Sequence, residues 1–415
     1  MSIISASMNS RARLIEENNI PRLPDNWDVR RFRFLFRESK ERNGNEPVGN
    51  MLSVSEYHGV IPKKYEHKEC QRTEDELQDY RVVHPGQLAV NTMWLSHLGL
   101  GVSEYLGHVS PAYAVYNISE ELDKGFIHYL LRSQFYVKIY LRYLYGIRPN
   151  SFQIKTDDWN SIPVIVPPKE TQKSIADFLD QETIRIDQLI KKKERILSLM
   201  SSRIEALVDR AISDEDVPRI RFENVVHRIQ RPVNLSGHDE FIRLGLYNRG
   251  RGIFKKPAVD KEEIGDSNFF YVKAGDLVIS GQFAWEGAVA LATQEEEGCV
   301  VSHRYPVYRG CSGVNTGYLL GFLRSSEGDF ILNEVSRGSA GRNRPLNTWH
   351  LGKEKIPIPN IELQEEINRA IVFKHQLGKK IKKSIDLLNE YRASIITTIV
   401  TGRMDIHNKE NKESA

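Results

Sequence analysis

From position 170 to position 213 the chain contains no Gly or Pro, and apolar side chains return in steps of four and three. Ile175, Leu179, Ile186, Leu189, Ile196, Met200 and Leu207 form the seam expected when one long helix lies along another. Glu182, Lys193 and Arg203 interrupt that seam. A second stripe of Ile190, Leu197, Ile204 and Ala211 widens the apolar face, so more than one neighbour is predicted. A continuous helix of this length spans roughly 65 Å at about 1.5 Å per residue. That outreaches an ordinary domain core and predicts a spacer.

Ahead of this helix, residues 21–165 alternate short apolar runs with Gly and Pro turns, which predicts a mixed α+β domain of short strands. After it the same order of features returns. FIRLGLYNRGRGIFKK follows MLSVSEYHGVIPKK as strand, turn and paired-lysine exit. YVKAGDLVISGQFAW follows YRVVHPGQLAVNTMW, with Gly275 matching Gly86 and Trp285 near the place of Trp94. GRNRPLNTWHLGKEKIPIPN follows GIRPNSFQIKTDDWNSIPVIVPP. A second long helix is predicted over 363–401, with Ile367, Ile371, Ile381, Ile385, Leu388, Ile395 and Ile399 in line. The chain therefore reads as an internal duplication with a period of roughly 190 residues. The predicted fold is α+β, with two mixed domains separated by two long helices that pair as an antiparallel coiled coil. That pairing puts a globular unit at each end. The predicted divisions are 1–165, 166–213, 214–360 and 361–415.

A length of 415 residues allows two or three domains, and 40% hydrophobic with 27% charged residues describes an ordinary globular chain. No secretory signal and no membrane span is expected, because MSIISASMNSR has no continuous apolar run and the longest uncharged stretch, 86–103, is broken by polar residues and glycines. Three scattered cysteines suggest a reducing cytoplasm. Basic and acidic residues balance, 20 and 20 over 1–165 and 19 and 19 over 214–360, so any nucleic-acid site must be a local patch.

Catalytic motifs are missing. The chain has no phosphate-cradling G-x-x-x-x-G-K-[ST] loop, no dinucleotide turn and no H-E-x-x-H. VPP at 166–168 lacks the Asn and aromatic of an amino-methyltransferase motif, and Cys299, His303 and the Asp157-Asp158 pair are read as structural. What remains is polar loop surface suited to binding. Arg148, Asn150, Gln153 and Lys155 fall in one loop, and Arg342, Asn343, Arg344 and Asn347 fall in its repeat. Arg matches the guanine edge and Asn or Gln the adenine edge of a major groove. Lys63, Lys64, Arg249, Arg251, Lys255 and Lys256 at the hairpins suit phosphate contacts.

Taken together, LPDNWDVRRFRFLF, IPVIVPPKETQKSIADFLDQETIRIDQLIKKKERILSLM, IPIPNIELQEEI and the ending YRASIITTIVTGRMDI resemble the specificity subunit of type I restriction–modification systems. The resemblance covers nearly the whole chain. IADFLDQET has only a loose counterpart in INRAIVFKH, which suggests that the two helices contact partners unequally. The resemblance implies two target recognition domains, each reading one half of a split double-stranded DNA target, on helices that set the gap and dock two modification subunits. It implies no catalysis and no cofactor in this chain. S-adenosylmethionine and N6-adenine methylation would belong to the modification partner, and a restriction subunit would join for cleavage. A coiled-coil scaffold that binds only proteins is the alternative reading.

Overall fold

The computed structural model describes residues 11–63, 77–145, 153–233, 240–260, 268–338 and 344–405. The chain divides into two compact units, residues 1–190 with 384–415 and residues 191–383. The division falls within the two long helices, Lys169–Ser213 and Ile361–Val400, so each helix contributes to both units.

In the first unit, Asp28–Arg31 pairs antiparallel with Pro163–Val166 and closes the entry and exit of the globular part. One four-stranded sheet runs in the order Phe36–Ser39, Tyr113–Ile118, Leu88–Asn91, Leu100–Val102. The other runs Gly59–Pro62, Asn50–Ser55, Gly107–Val109, Arg81–Val83. In the second unit Arg219–Arg221 pairs with Lys355–Pro357 in the same closing role. Its sheets run Val226–Ile229, Val307–Gly310, Leu277–Ile279, Val289–Leu291 and Ile253–Asp260, Glu240–Leu246, Val300–Ser302, Phe269–Tyr271. Strand order agrees throughout, down to one parallel pair in each second sheet. The duplication is therefore present in the backbone topology.

The local causes repeat as well. Leu88, Ala89 and Val90 are fully buried, as are Leu277, Val278 and Ile279, because each strand is covered on both faces. Phe32 meets Tyr116 edge-on at 5.0 Å, and Phe222 meets Tyr308 edge-on at 5.4 Å. Gly86 and Gly275 turn the chain into these strands at φ of +85° and +86°, a backbone region costly for other residues.

Two expected equivalences shift. Lys255 and Lys256 lie inside the strand Ile253–Asp260, where the register slips between Ile242 and Leu244, whereas Lys63 follows its strand. A bulge added to the second hairpin moved the lysines relative to the ladder. Trp94 precedes the short helical turn Leu95–His97, and the residue in that place in the second unit is Phe283; Trp285 lies inside the turn Ala284–Glu286.

Each long helix is anchored by one buried glutamine. The Gln172 side chain accepts from the Asp123 backbone N–H at 2.7 Å and donates to the carbonyls of Pro167 at 2.8 Å and Glu121 at 3.3 Å. Gln364 accepts from the Asn315 N–H at 2.8 Å and donates to Pro359 at 2.8 Å and Gly313 at 3.3 Å. Asp123 and Asn315 in turn cap the helices Lys124–Leu131 and Thr316–Leu323 with their side chains.

In the first unit Ile175, Ala176 and Leu179 share one core with Ile395, Ile399 and Val400, and Asp187 pairs with Arg392. In the second, Val208 and Ala211 share a core with Leu363 and Ile367, and Arg203 meets Glu366 at 3.4 Å. Within each unit the early part of one helix faces the late part of the other, so the pairing is antiparallel.

The predicted apolar line of the second helix faces inward at every position, and that of the first does so except at Leu189 and Ile196. Leu189 and Ile196 are 38% and 46% exposed, while Ile190, Lys193, Leu197, Met200 and Ile204 form the half-buried row. A straight helix of 3.6 residues per turn drifts away from a strict heptad, so the inward row passes to the second stripe. No described helix is long and apolar enough to cross a membrane.

Two substitutions test this arrangement. Gln364→Ala strands a buried donor and two carbonyls and is expected to cost about 2 kcal/mol, read by chemical denaturation. Gly378→Ala is expected to stabilise by about 1 kcal/mol through helix propensity. The added methyl would sit in ordinary contact, 3.9 Å from Leu197 Cδ2, and a rise in thermal midpoint checks it.

Candidate nucleic-acid interface

In the first unit the ends of residues 146–152 are tied by backbone hydrogen bonds between Tyr145 and Gln153 in both directions, each 3.0 Å. Lys155 reaches back over the Tyr145 ring at 5.3 Å, leaving Gln153, Lys155 and the half-exposed Tyr145 on one polar face. Lys63 lies just beyond the hairpin strand Gly59–Pro62. Lys64, Arg148 and Asn150 fall outside the described residues.

In the second unit the hairpin turn between Glu240–Leu246 and Ile253–Asp260 carries Arg249 and Arg251. Arg249 takes a left-handed conformation (φ +56°), followed by Gly250 (φ +59°). The turn is held down by the Arg249 and Gly250 backbone N–H groups, which donate to the carbonyls of Glu286 and Gly287 at 2.7 and 2.8 Å. Arg251 lies over the Tyr247 ring at 5.2 Å. Both arginine side chains are thus presented on a rigid, exposed tip. Lys255 and Lys256 are exposed along the following strand.

Two expected contacts serve the fold. Arg344 donates to the carbonyls of Ser336 and Asn333, both at 3.0 Å, and covers the Trp285 ring at 4.8 Å. Asn347 caps the helix Thr348–Lys353, its side-chain oxygen accepting from the N–H groups of Trp349 and His350. Their neighbours Arg342 and Asn343 fall outside the described residues.

Sequence reading named Lys256 for phosphate contact and read His303 as structural, but passed over Arg243 and Arg304. Arg243, Lys256, His303 and Arg304 border one hollow of about 310 Å³ in the second unit. Besides Lys256, the trace in the sequence is a His-Arg pair directly after the strand Val300–Ser302.

Other arginines of this unit are already neutralised. Asp276, fully buried, receives Arg231 and Arg309 at 2.5 Å each, and the Lys273 N–H at 2.8 Å. Burial would raise its carboxyl, but the hydrogen bonds from Arg231, Lys273 and Arg309 and the Arg231 charge outweigh that and hold it below the ordinary range. At the places of Asp276 and Arg309 the first unit holds neutral groups, with Gln87 donating to Asn117 at 2.8 Å. Among the described residues, no group of three His, Cys, Asp or Glu side chains could hold a metal ion. The arrangement offers cations, amides and aromatics to a ligand.

No protein-family model and no curated protein matches this chain. Solved structures do. A chain from work on complex assembly and conformational transition of the type I R-M system superposes at a TM-score of 0.64, with 15% identity over 92% of this chain and 100% of that one. This chain has the fold of that type I restriction–modification component. The HsdS subunit of Thermoanaerobacter tengcongensis matches over 92% and 99% of the two chains at 15% identity and a TM-score of 0.47. The type I S subunit of M. genitalium matches over 91% and 98% at 13% identity and a TM-score of 0.48. The likeness of fold to the first of these spans 92% of this chain and so takes in both units.

The Asp276 cluster gives the two units different acid sensitivity. Its pKa is depressed in the folded state, so its contribution is complete above the ordinary carboxylate pKa of about 3.9 and is lost as pH falls through the folded value. Asp276→Asn is expected to cost about 3 kcal/mol at neutral pH by leaving two arginines unpaired. It is also expected to flatten the decline in second-unit stability below about pH 4, which urea titration across pH reads directly.

Proposed function

We propose that this chain is the non-catalytic, sequence-reading subunit of a type I restriction–modification complex. Each globular unit, within the divisions 1–165 and 214–360, reads one half of a split double-stranded DNA site. The paired helices set the distance between half-sites and dock the modification subunits. One observation carries this reading: a twice-built domain of identical topology bears different polar surfaces in its two copies. A duplicated catalyst has reason to keep its two sites alike. A duplicated reader of an asymmetric site has reason to make them differ.

Contacts fall into two kinds. Arg249, Arg251, Lys255, Lys256, Lys63 and Lys64 fit phosphates and fix register, while Gln153, Lys155, Arg148 and Asn150 with their repeats Arg342 and Asn343 fit base edges. Arg344 and Asn347 serve the fold instead, through their backbone partners. The exposed apolar side chains Leu189, Ile196, Leu199 and Phe373 on the long helices suit protein partners. S-adenosylmethionine, and the methyl transfer to adenine, would be the modification partner's.

The test is binding of the chain with its modification partner to duplex libraries. Enrichment of one bipartite sequence, with affinity falling steeply as salt rises, is the expected result. Equal binding of all sequences overturns the reading, and no retention of DNA even at low salt points instead to a protein-only scaffold. Exchange of residues 21–165 for those of a relative is expected to change one half of the site and leave the other.

A further inference from the structure

The hollow of about 310 Å³ in the second unit is built where three chain segments converge. Arg243 sits at the bulge of its hairpin, with Lys256 across the slipped register. Ser302, His303 and Arg304 arrive from the neighbouring strand and the turn after it, and Tyr305 completes the wall. Among the described residues, Arg243, Lys256 and Arg304 form no ion pair, and no carboxylate lines the hollow. Elsewhere in the unit several cations are neutralised: Arg219 pairs with Glu327, Lys353 with Glu223, Lys379 with Glu295, and Arg231 and Arg309 with Asp276.

A second, independent observation concerns hydrogen bonding. Arg243 Nε is buried and has no hydrogen-bond partner. Buried polar atoms are nearly always satisfied, so an orphaned guanidinium N–H beside a cationic hollow is a donor awaiting an acceptor. Three like charges held around one space also repel each other until an anion sits among them. Oxygen-rich, multiply charged groups satisfy both demands, and the guanidinium fork matches phosphate geometry.

We propose that this hollow is a phosphate-binding site. The first unit is built differently here, for the strand registers place Ser110 and Pro111 where the second unit has His303 and Arg304. Two sources share the chemistry: the backbone of a duplex, which rests on the DNA-reading function above, and a free phosphate compound, which does not. With a duplex as the source, the second half-site is gripped through more phosphate contacts than the first.

The experiment uses the full chain and two probes, inorganic pyrophosphate and duplex DNA, with the variants Arg243→Met and Lys256→Met. Lys256 is exposed, so its variant stays informative if the Arg243 change impairs folding. Calorimetry is expected to show pyrophosphate binding at low salt, weakened about tenfold or more by Arg243→Met and severalfold by Lys256→Met. On duplex DNA, each variant is expected to reduce the slope of log affinity against log salt by about one while leaving base preference unchanged. Pyrophosphate binding with an unaltered duplex slope supports the site with a free phosphate as its source. Pyrophosphate binding by a chain that retains no duplex at all sinks the DNA-reading function and leaves the site standing. Failure of the wild-type chain to bind pyrophosphate, or equal binding by both variants, overturns the proposal.

Discussion

A single buried side chain at the start of each long helix governs what the helix can do. Gln172 and Gln364 each join three backbone groups from separate loops, and each is 1% exposed. An amide is suited to this task because it donates and accepts at once without carrying a charge into the interior. The N–H that each accepts belongs to the residue capping the first helix of the globular part. The helix, the cap and the exit from the closing strand pair are thereby fixed as one piece. The proposed spacer role requires rigid joints, and these residues would form them.

Around that constraint the two units have diverged where divergence costs least. Strand order, closing pair and edge-on aromatic contact are retained, because each is needed to fill a core. Polar positions at the sheet margins are not. One unit satisfies a buried slot with Gln87 and Asn117, and the other with Asp276 between two arginines. Both solutions leave no buried group unpaired, so packing does not choose between them. The surface can therefore change its charge without altering the scaffold, as the proposed reading function requires.

Much of this was legible in the chain itself. The absence of Gly and Pro over 170–213 predicted the first long helix to within a residue of Lys169–Ser213. Matched turns at Gly86 and Gly275 disclosed the duplication. These signals are local or periodic, and a single chain carries them in full. Less legible was which face of the first helix turns inward, since Leu189 and Ile196 continue a plausible heptad yet point to solvent. That choice rests on the drift of a straight helix and on which neighbour it meets.

The candidate site divided along the same line. The basic turn at Arg249 and Arg251 was visible because turn chemistry is written in adjacent residues, Asn-Arg-Gly-Arg-Gly. Arg344 and Asn347 looked equivalent to it by composition, but one spends its donors on carbonyls and the other caps a helix. The hollow at Arg243 left almost no trace, since its walls come from segments about 60 residues apart, brought together by a bulge and a parallel strand pair. Sequence alone determined the elements, their repetition and the stock of polar groups, because helix periodicity and turn residues act over a few positions. Tertiary structure alone decided which charges are already paired and which remain open to a ligand, because pairing depends on distances between residues remote in the chain.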